Sequence, residues 1–139
     1  DLPFRPTLDA LAPGLALFMA AVAVSHIFSG DAFGAPTKVP WGIRLWNEYR
    51  HPTQFYETFL ALAVFLFVRE RFLKPEGAGL NFLLAVVLSS ASRVFLEAFR
   101  GDSVFLPGGF REAQVIALAV MGVGFYWMRR WMSLEIIKD

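Results

Sequence analysis

The chain has 139 residues, a formal net charge of +1, 56% hydrophobic residues against 18% charged, and no cysteine. Charged residues make up roughly a quarter of an ordinary soluble domain, so the composition excludes one, together with a disordered chain, a disulfide scaffold and a cysteine-ligated metal site. A charge so near zero argues against a nucleic-acid surface, and fifteen Phe with four Trp suit an all-α integral membrane protein whose side chains face lipid and anchor at the headgroup boundary.

Four apolar runs predict four transmembrane helices in a single membrane domain, at about 8–28, 51–72, 79–99 and 110–130. The first, Leu8 to Phe28, carries one charge, Asp9 at its entry, and matches the ~20 residues that a crossing needs. A signal peptide competes for this run, but Pro13 lies inside it and no basic segment precedes it. Ser29 to Arg50 follows as the one long non-helical stretch. Its Trp41, Trp46 and Tyr49 are the residues of a segment lying at the membrane interface. The second run opens at Arg50 and ends in Arg69, Arg71 and Lys74, with Pro75 and Gly77 marking a tight turn. The third goes from Gly79 to Phe99. The fourth goes from about Glu112 to Met128 and closes with Arg129 and Arg130.

A cytoplasmic N-terminus puts Arg5, Arg69, Arg71, Lys74, Arg129, Arg130 and Lys138 inside and Lys38, Arg44, Arg50, Arg100 and Arg111 outside. The excess inside is small but favours both termini in the cytoplasm. The aromatic stretch and the loop Gly101 to Gly109 then share the outer side.

Charges within apolar runs are the candidates for chemistry, because an Arg at the bilayer centre costs about 2.5–3.5 kcal/mol even on the lenient insertion scale. Arg93, Glu97 and Arg100 stand at i, i+4 and i+7, which stacks them with alternating sign on one helical face. Two readings stay open: a structural ion pair with Arg100 reaching the interface, or an anion site in which the Arg93 fork meets a phosphate and Glu97 fixes its rotamer. At the second run, Pro52 suits a first helical position, and His51 and Glu57 invite either an acid/base role or simple structural hydrogen bonds. His26 is a single imidazole without a partner at helical spacing. A metal site built from His26, His51 and a carboxylate has no ligand spacing to support it, so no metal and no cofactor other than a phospholipid is expected. Gln114, with Arg111 before it, offers a polar group that reaches toward the Arg93 stripe.

At these residues a family resemblance is visible. Arg50 to Glu57, RHPTQFYE, resembles the RHPSQLYE signature of the prolipoprotein diacylglyceryl transferases. Ser92 to Arg100, SRVFLEAFR, resembles that family's FRxxxExFR segment in the right order. Asp9 to Pro13 matches its DxxAP helix start, Gly34, Pro36, Thr37, Pro40, Trp41 and Gly42 follow its GxPTxxPWG loop, and Gln114 falls where the family has a Gln opening its last helix. The resemblance implies the C-terminal part of the family fold in a bacterial inner membrane. It also implies chemistry that moves a diacylglyceryl group from phosphatidylglycerol to a cysteine thiol and releases glycerol phosphate. Carried over residue by residue, Arg93 contacts the phosphate, Glu97 is its partner, Gln54 and Glu57 line the site with His51 and Gln114 nearby, and Arg100 lies at the outer rim.

The departures fall on Val22 to Asp31, where the family has GRxGNFxNGE. Its functional Arg is Ala23 here, and its first Asn is His26, while Gly30 and the acidic Asp31 remain. The family's HGG segment, with a functional His, precedes the region of resemblance. The resulting expectation is a truncated, degenerate member that is non-catalytic, binds phospholipid and packs with other membrane protein subunits. The alternative is an active transferase, with Glu57, Arg93 and Glu97 as its catalytic candidates, read from an incomplete chain. A small transport or proton-relay protein is a third class, with no repeat or broken helix pair to favour it.

Overall fold

The computed structural model describes residues 2–73 and 78–136, with 134–136 as backbone alone. Lys74, the turn expected at Pro75 and Gly77, and Lys138 lie outside the described residues. The described chain forms four helices, α1 (Phe4–Ser29), α2 (Thr53–Phe72), α3 (Leu80–Glu97) and α4 (Glu112–Ile136). Between α1 and α2 it adds an antiparallel hairpin of β1 (Ile43–Leu45) and β2 (Glu48–Arg50).

The helices differ from expectation at their ends. α1 starts at Phe4 rather than near Leu8, because Pro6 is tolerated in a first turn and Thr7 Oγ1 donates back to the Pro3 carbonyl at 2.8 Å. It stops at Gly30, whose φ of 79° and N–H to the His26 carbonyl (3.1 Å) close the helix. Pro52 precedes α2 as its cap instead of occupying the first helical position. α4 continues past Met128 to Ile136. Among the described helices, two, α1 and α3, are long and apolar enough to cross a membrane, where four crossings were expected. α2 carries Glu57, Arg69, Glu70 and Arg71 toward its ends, and α4 carries Arg129 and Arg130. Exposed Leu15, Phe18, Phe59, Leu66, Ile116 and Val123 nonetheless give all three of their helices apolar outer faces of the kind that meets lipid.

α1 packs on α2 through a seam of alanines, Ala12, Ala16, Ala20 and Ala23, spaced so that all four fall on one face. Small residues let the two backbones approach closely, which is how helices associate where lipid removes the hydrophobic drive. Ala12 continues into a core with Val64, Val68 and Ala85, covered by Phe82 and Leu88. α3 packs on α2 and α1, and α4 lies along α3.

Two sets of polar contacts fix the ends of this bundle. At one end Asp9 of α1 accepts the backbone N–H groups of Gly79 (2.5 Å) and Phe82 (2.8 Å), so it satisfies the open first turn of α3. There Asn81 donates to the Val68 carbonyl at 3.1 Å, and Arg5 lies over the Trp131 ring at 4.8 Å. At the other end the loop after α1 and the loop after α3 are joined by Ala35 N–H to Phe99 O (2.8 Å) and Gly101 N–H to Phe33 O (2.9 Å). The backbone of Gly34 passes so close to that of His51 that a Cβ has no room.

The stretch Ser29 to Arg50, expected to be non-helical, contains this hairpin. Its turn places Trp46 and Asn47 at φ of 47° and 69°, a left-handed pair that Asn tolerates and Trp rarely adopts. Stacking holds Trp46 there: its ring meets Phe33 edge-on at 4.8 Å, and the Arg50 guanidinium lies 5.6 Å from it. Arg50 also donates to the Gly34 carbonyl (3.1 Å) and to Glu48 (2.7 Å).

Candidate active site

The charged stripe of α3 comes together at the end of the bundle where the two loops meet. Glu97 is 1% exposed, with Arg93 Nη2 at 3.4 Å and Arg100 Nε at 4.0 Å from its Oε2. The i, i+4, i+7 spacing therefore places one buried carboxylate between two cations. Arg93 stays more than a third open, so its charge is held by Glu97 without being covered. Arg100 turns outward and makes a two-pronged contact with Asp102, at 2.8 and 2.6 Å. Burial opposes the Arg100 charge, but the hydrogen bond and charge of Asp102, helped by Glu57 and Glu97, outweigh it and raise its pKa. For Asp102, burial works to raise the pKa, and the Arg100 hydrogen bond and charge reverse this and hold it below the ordinary carboxylate value.

Arg111 completes the end of α3. It donates to the carbonyls of Glu97 and Arg100 (3.1 Å) and to Ser103 Oγ (2.9 Å), so a cation closes the C-terminal turn where the open carbonyls carry partial negative charge. Gln114 reaches α3 but donates to the Val94 carbonyl at 3.2 Å rather than meeting Arg93. It therefore fastens α4 to α3.

Glu57 enters the same region from α2. It lines a cavity of about 70 Å³ with Arg93, Ser92, Met19 and Leu96, among others, so α1, α2 and α3 all contribute walls. Its imidazole partner is His26 of α1, with Nδ1 2.8 Å from Glu57 Oε2. Sequence spacing gives no sign of this pair, since the two lie on different helices. The available signal was physical: an imidazole and a carboxylate within separate apolar runs both need a partner.

His51 is placed elsewhere. It stacks edge-on against Phe99 at 5.2 Å and faces Tyr56 at 6.3 Å, and it lines a groove of about 540 Å³ with Trp41, Phe55, Phe59 and Phe95. Tyr56 accepts the Trp41 indole N–H there at 2.7 Å. Gln54 is buried one turn before Glu57, and its side-chain oxygen has no hydrogen-bond partner among the described residues. Thr53 fixes the start of α2 by donating to the Ala32 carbonyl. Ala23 lies in the alanine seam at 1% exposure. Among the described residues no group of three His, Asp or Glu could hold a metal ion.

An open cation beside a carboxylate-lined cavity and an aromatic groove suits an anionic headgroup with an apolar body. Residues 1–130 match the family model described as prolipoprotein diacylglyceryl transferase. The protein named phosphatidylglycerol–prolipoprotein diacylglyceryl transferase in Gloeobacter violaceus is 35% identical over 88% of this chain and 51% of its own length. Its namesake in Nostoc is 34% identical over 99% of this chain and 56% of its own length. That of Finegoldia magna is 29% identical over all of this chain and 56% of its own. The chain thus spans about half the length of the curated relatives it matches. With the signature helix, the α3 stripe and a family match over nearly its whole length, this chain belongs to the prolipoprotein diacylglyceryl transferase family.

Proposed function

We propose that this chain is part of a phosphatidylglycerol–prolipoprotein diacylglyceryl transferase, a single membrane domain that corresponds to the C-terminal part of the family fold and supplies its phosphate-binding side. The carrying observation is Arg93, held by buried Glu97 yet left open beside the cavity that Glu57 lines. A planar guanidinium so held meets two phosphate oxygens, and its charge gains value as the leaving phosphate becomes more negative. Gln54 and Glu57 line the polar side of the site, Arg100 stands at its rim, and the groove beside His51 offers an apolar wall to an acyl chain. Gln114 keeps α4 in place. The site lies in the bacterial inner membrane with both termini cytoplasmic. Because the relatives are named as enzymes, they favour this reading over a non-catalytic subunit.

The test uses the protein as expressed from its own gene, in nanodiscs of phosphatidylglycerol, with a peptide bearing the acceptor cysteine. Mass spectrometry is expected to find the diacylglyceryl thioether, and Arg93→Gln is expected to slow its formation by about 10²- to 10³-fold, the usual effect of removing one charge-stabilising donor. Absence of the thioether would favour the second reading, a non-catalytic phospholipid-binding subunit of a larger membrane assembly. Ala23 is the observation behind that reading, because a buried methyl stands where the family motif has an Arg.

A further inference from the structure

The contact between His26 and Glu57 has the geometry of a working acid/base pair. An ionised carboxylate only accepts hydrogen bonds, so at 2.8 Å from Glu57 Oε2 the His26 Nδ1 carries the proton. The lone pair is then on Nε2. A carboxylate in that position fixes the tautomer and stabilises the imidazolium that forms when Nε2 takes up a proton. The two side chains keep 25% and 20% of their surface, so the imidazole is oriented without being sealed. Glu57 lines the cavity together with Arg93, and His26 stands two helical turns beyond Met19, on the α1 face that lines the same cavity. The carboxylate that holds His26 and the Arg93 guanidinium thus line one space.

We propose that His26 is the general base for the thiol, an assignment that rests on the transferase reading. Nε2 removes the S–H proton as sulfur forms a C–S bond to the glyceryl carbon. The C–O bond from that carbon to the phosphate breaks, and its electron pair leaves on the phosphate oxygen of glycerol phosphate, beside Arg93. The imidazolium then gives its proton to the departing phosphate or to water, which closes the balance without any further reactant. Glu57 holds Nδ1 and acts as a positioning residue. The titratable groups on the elements packed around the dyad are Glu57 and Tyr56 of α2, Arg93 and Glu97 of α3, and Arg100, His51 and Asp31 in the adjoining loops.

The experiment has two arms on the protein as expressed from its own gene, comparing the native form with His26→Gln, which can still donate to Glu57, and with Glu57→Gln. In phosphatidylglycerol nanodiscs, His26→Gln is expected to lower kcat by about 10²- to 10⁴-fold with KM unchanged. Its pH profile is expected to lose the inflection that the native protein shows on the acid side and to rise only as the thiol ionises by itself near ~8.5. Glu57→Gln is expected to lower kcat less and to move that inflection. An unchanged kcat, or a fall with the profile shape kept, overturns the assignment while leaving the transferase reading intact.

The second arm needs no turnover. In phosphatidylcholine nanodiscs, alkylation of the peptide thiol by iodoacetamide at neutral pH is expected to be faster with the native protein than without it, and that acceleration is expected to be lost in His26→Gln. If the first arm yields no thioether at all, the transferase reading falls and the transfer step with it, while this arm still reads the deprotonation of the thiol by itself. Loss of the acceleration supports His26 as the base, and equal rates for native and variant overturn it.

Discussion

Asp9 Oδ1 accepts the backbone N–H of Phe82 at 2.8 Å, across 73 positions of sequence, while its other oxygen takes the N–H of Gly79. The first turn of a helix leaves donors that its own chain cannot satisfy, and Gly79, which precedes α3, has no side chain to serve. A carboxylate from α1 therefore does the capping, and the same negative charge meets the positive end of the α3 dipole. Asp9→Ala is expected to cost about 1–2 kcal/mol, read as a lower unfolding midpoint in detergent, with the exchange protection of Phe82 lost first. An unchanged midpoint would mean that water caps α3 equally well.

Glu97 between Arg93 and Arg100 sets up a comparison of single and double changes. Glu97→Ala leaves Arg93 without its carboxylate, while Arg100 keeps Asp102, and is expected to cost about 1–3 kcal/mol. Replacing Glu97 by Leu and Arg93 by Met together removes both charges at similar volume and is expected to cost less than the single change. Thermal unfolding of both variants checks this, and equal damage would show that the two side chains are not coupled.

The Arg100 and Asp102 contact gives an acid dependence. The Asp102 pKa is lowered in the folded chain, so its contribution is present above the unfolded value near ~3.9 and is lost as pH falls through the folded value. Arg100 is raised and stays charged throughout the accessible range. The pair is partly open to water, so its worth is below about 1 kcal/mol. The stability difference between native protein and Asp102→Asn is expected to hold its plateau above about pH 5 and to shrink as pH falls below the unfolded value near ~3.9. A difference that persisted at the acid end would assign the effect to something other than ionisation.

The chain has no cysteine, so single cysteines report sidedness cleanly. Lys38 and Ser103 lie in loops that pack at one end of the bundle, and Arg129 lies toward the far end of α4. Cysteines at Lys38 and Ser103 are expected to react with an impermeant label from one side of the membrane and a cysteine at Arg129 from the other. Labelling of the first two from opposite sides would break the topology.

What could be read in advance was whatever one helix encodes by itself. The length of each apolar run and the i, i+4, i+7 stripe of Arg93, Glu97 and Arg100 depend only on local period. The pairing of His26 with Glu57 depends on how α1 meets α2, and no spacing within either run contains that information. The hairpin was missed for a different reason. Its turn uses Trp46 and Asn47, whose left-handed backbone is held by Phe33 and Arg50 rather than by a glycine, so the usual turn composition is absent. Gln114 pointed to the correct helix but donates to a backbone carbonyl, that of Val94, a partner that side-chain spacing does not display.

The alanine seam gives position 23 a mutational order. With Ala23 at 1% exposure, α1 and its neighbours have closed over the space a long side chain would need. Installing an arginine there by one substitution needs a volume that the closed seam does not offer and forces the helices apart. A route to that residue has to pass first through smaller side chains on the facing helix. Changes at Ala23 therefore depend on what precedes them, and the same replacement that is ruinous alone becomes acceptable once room has been made for it.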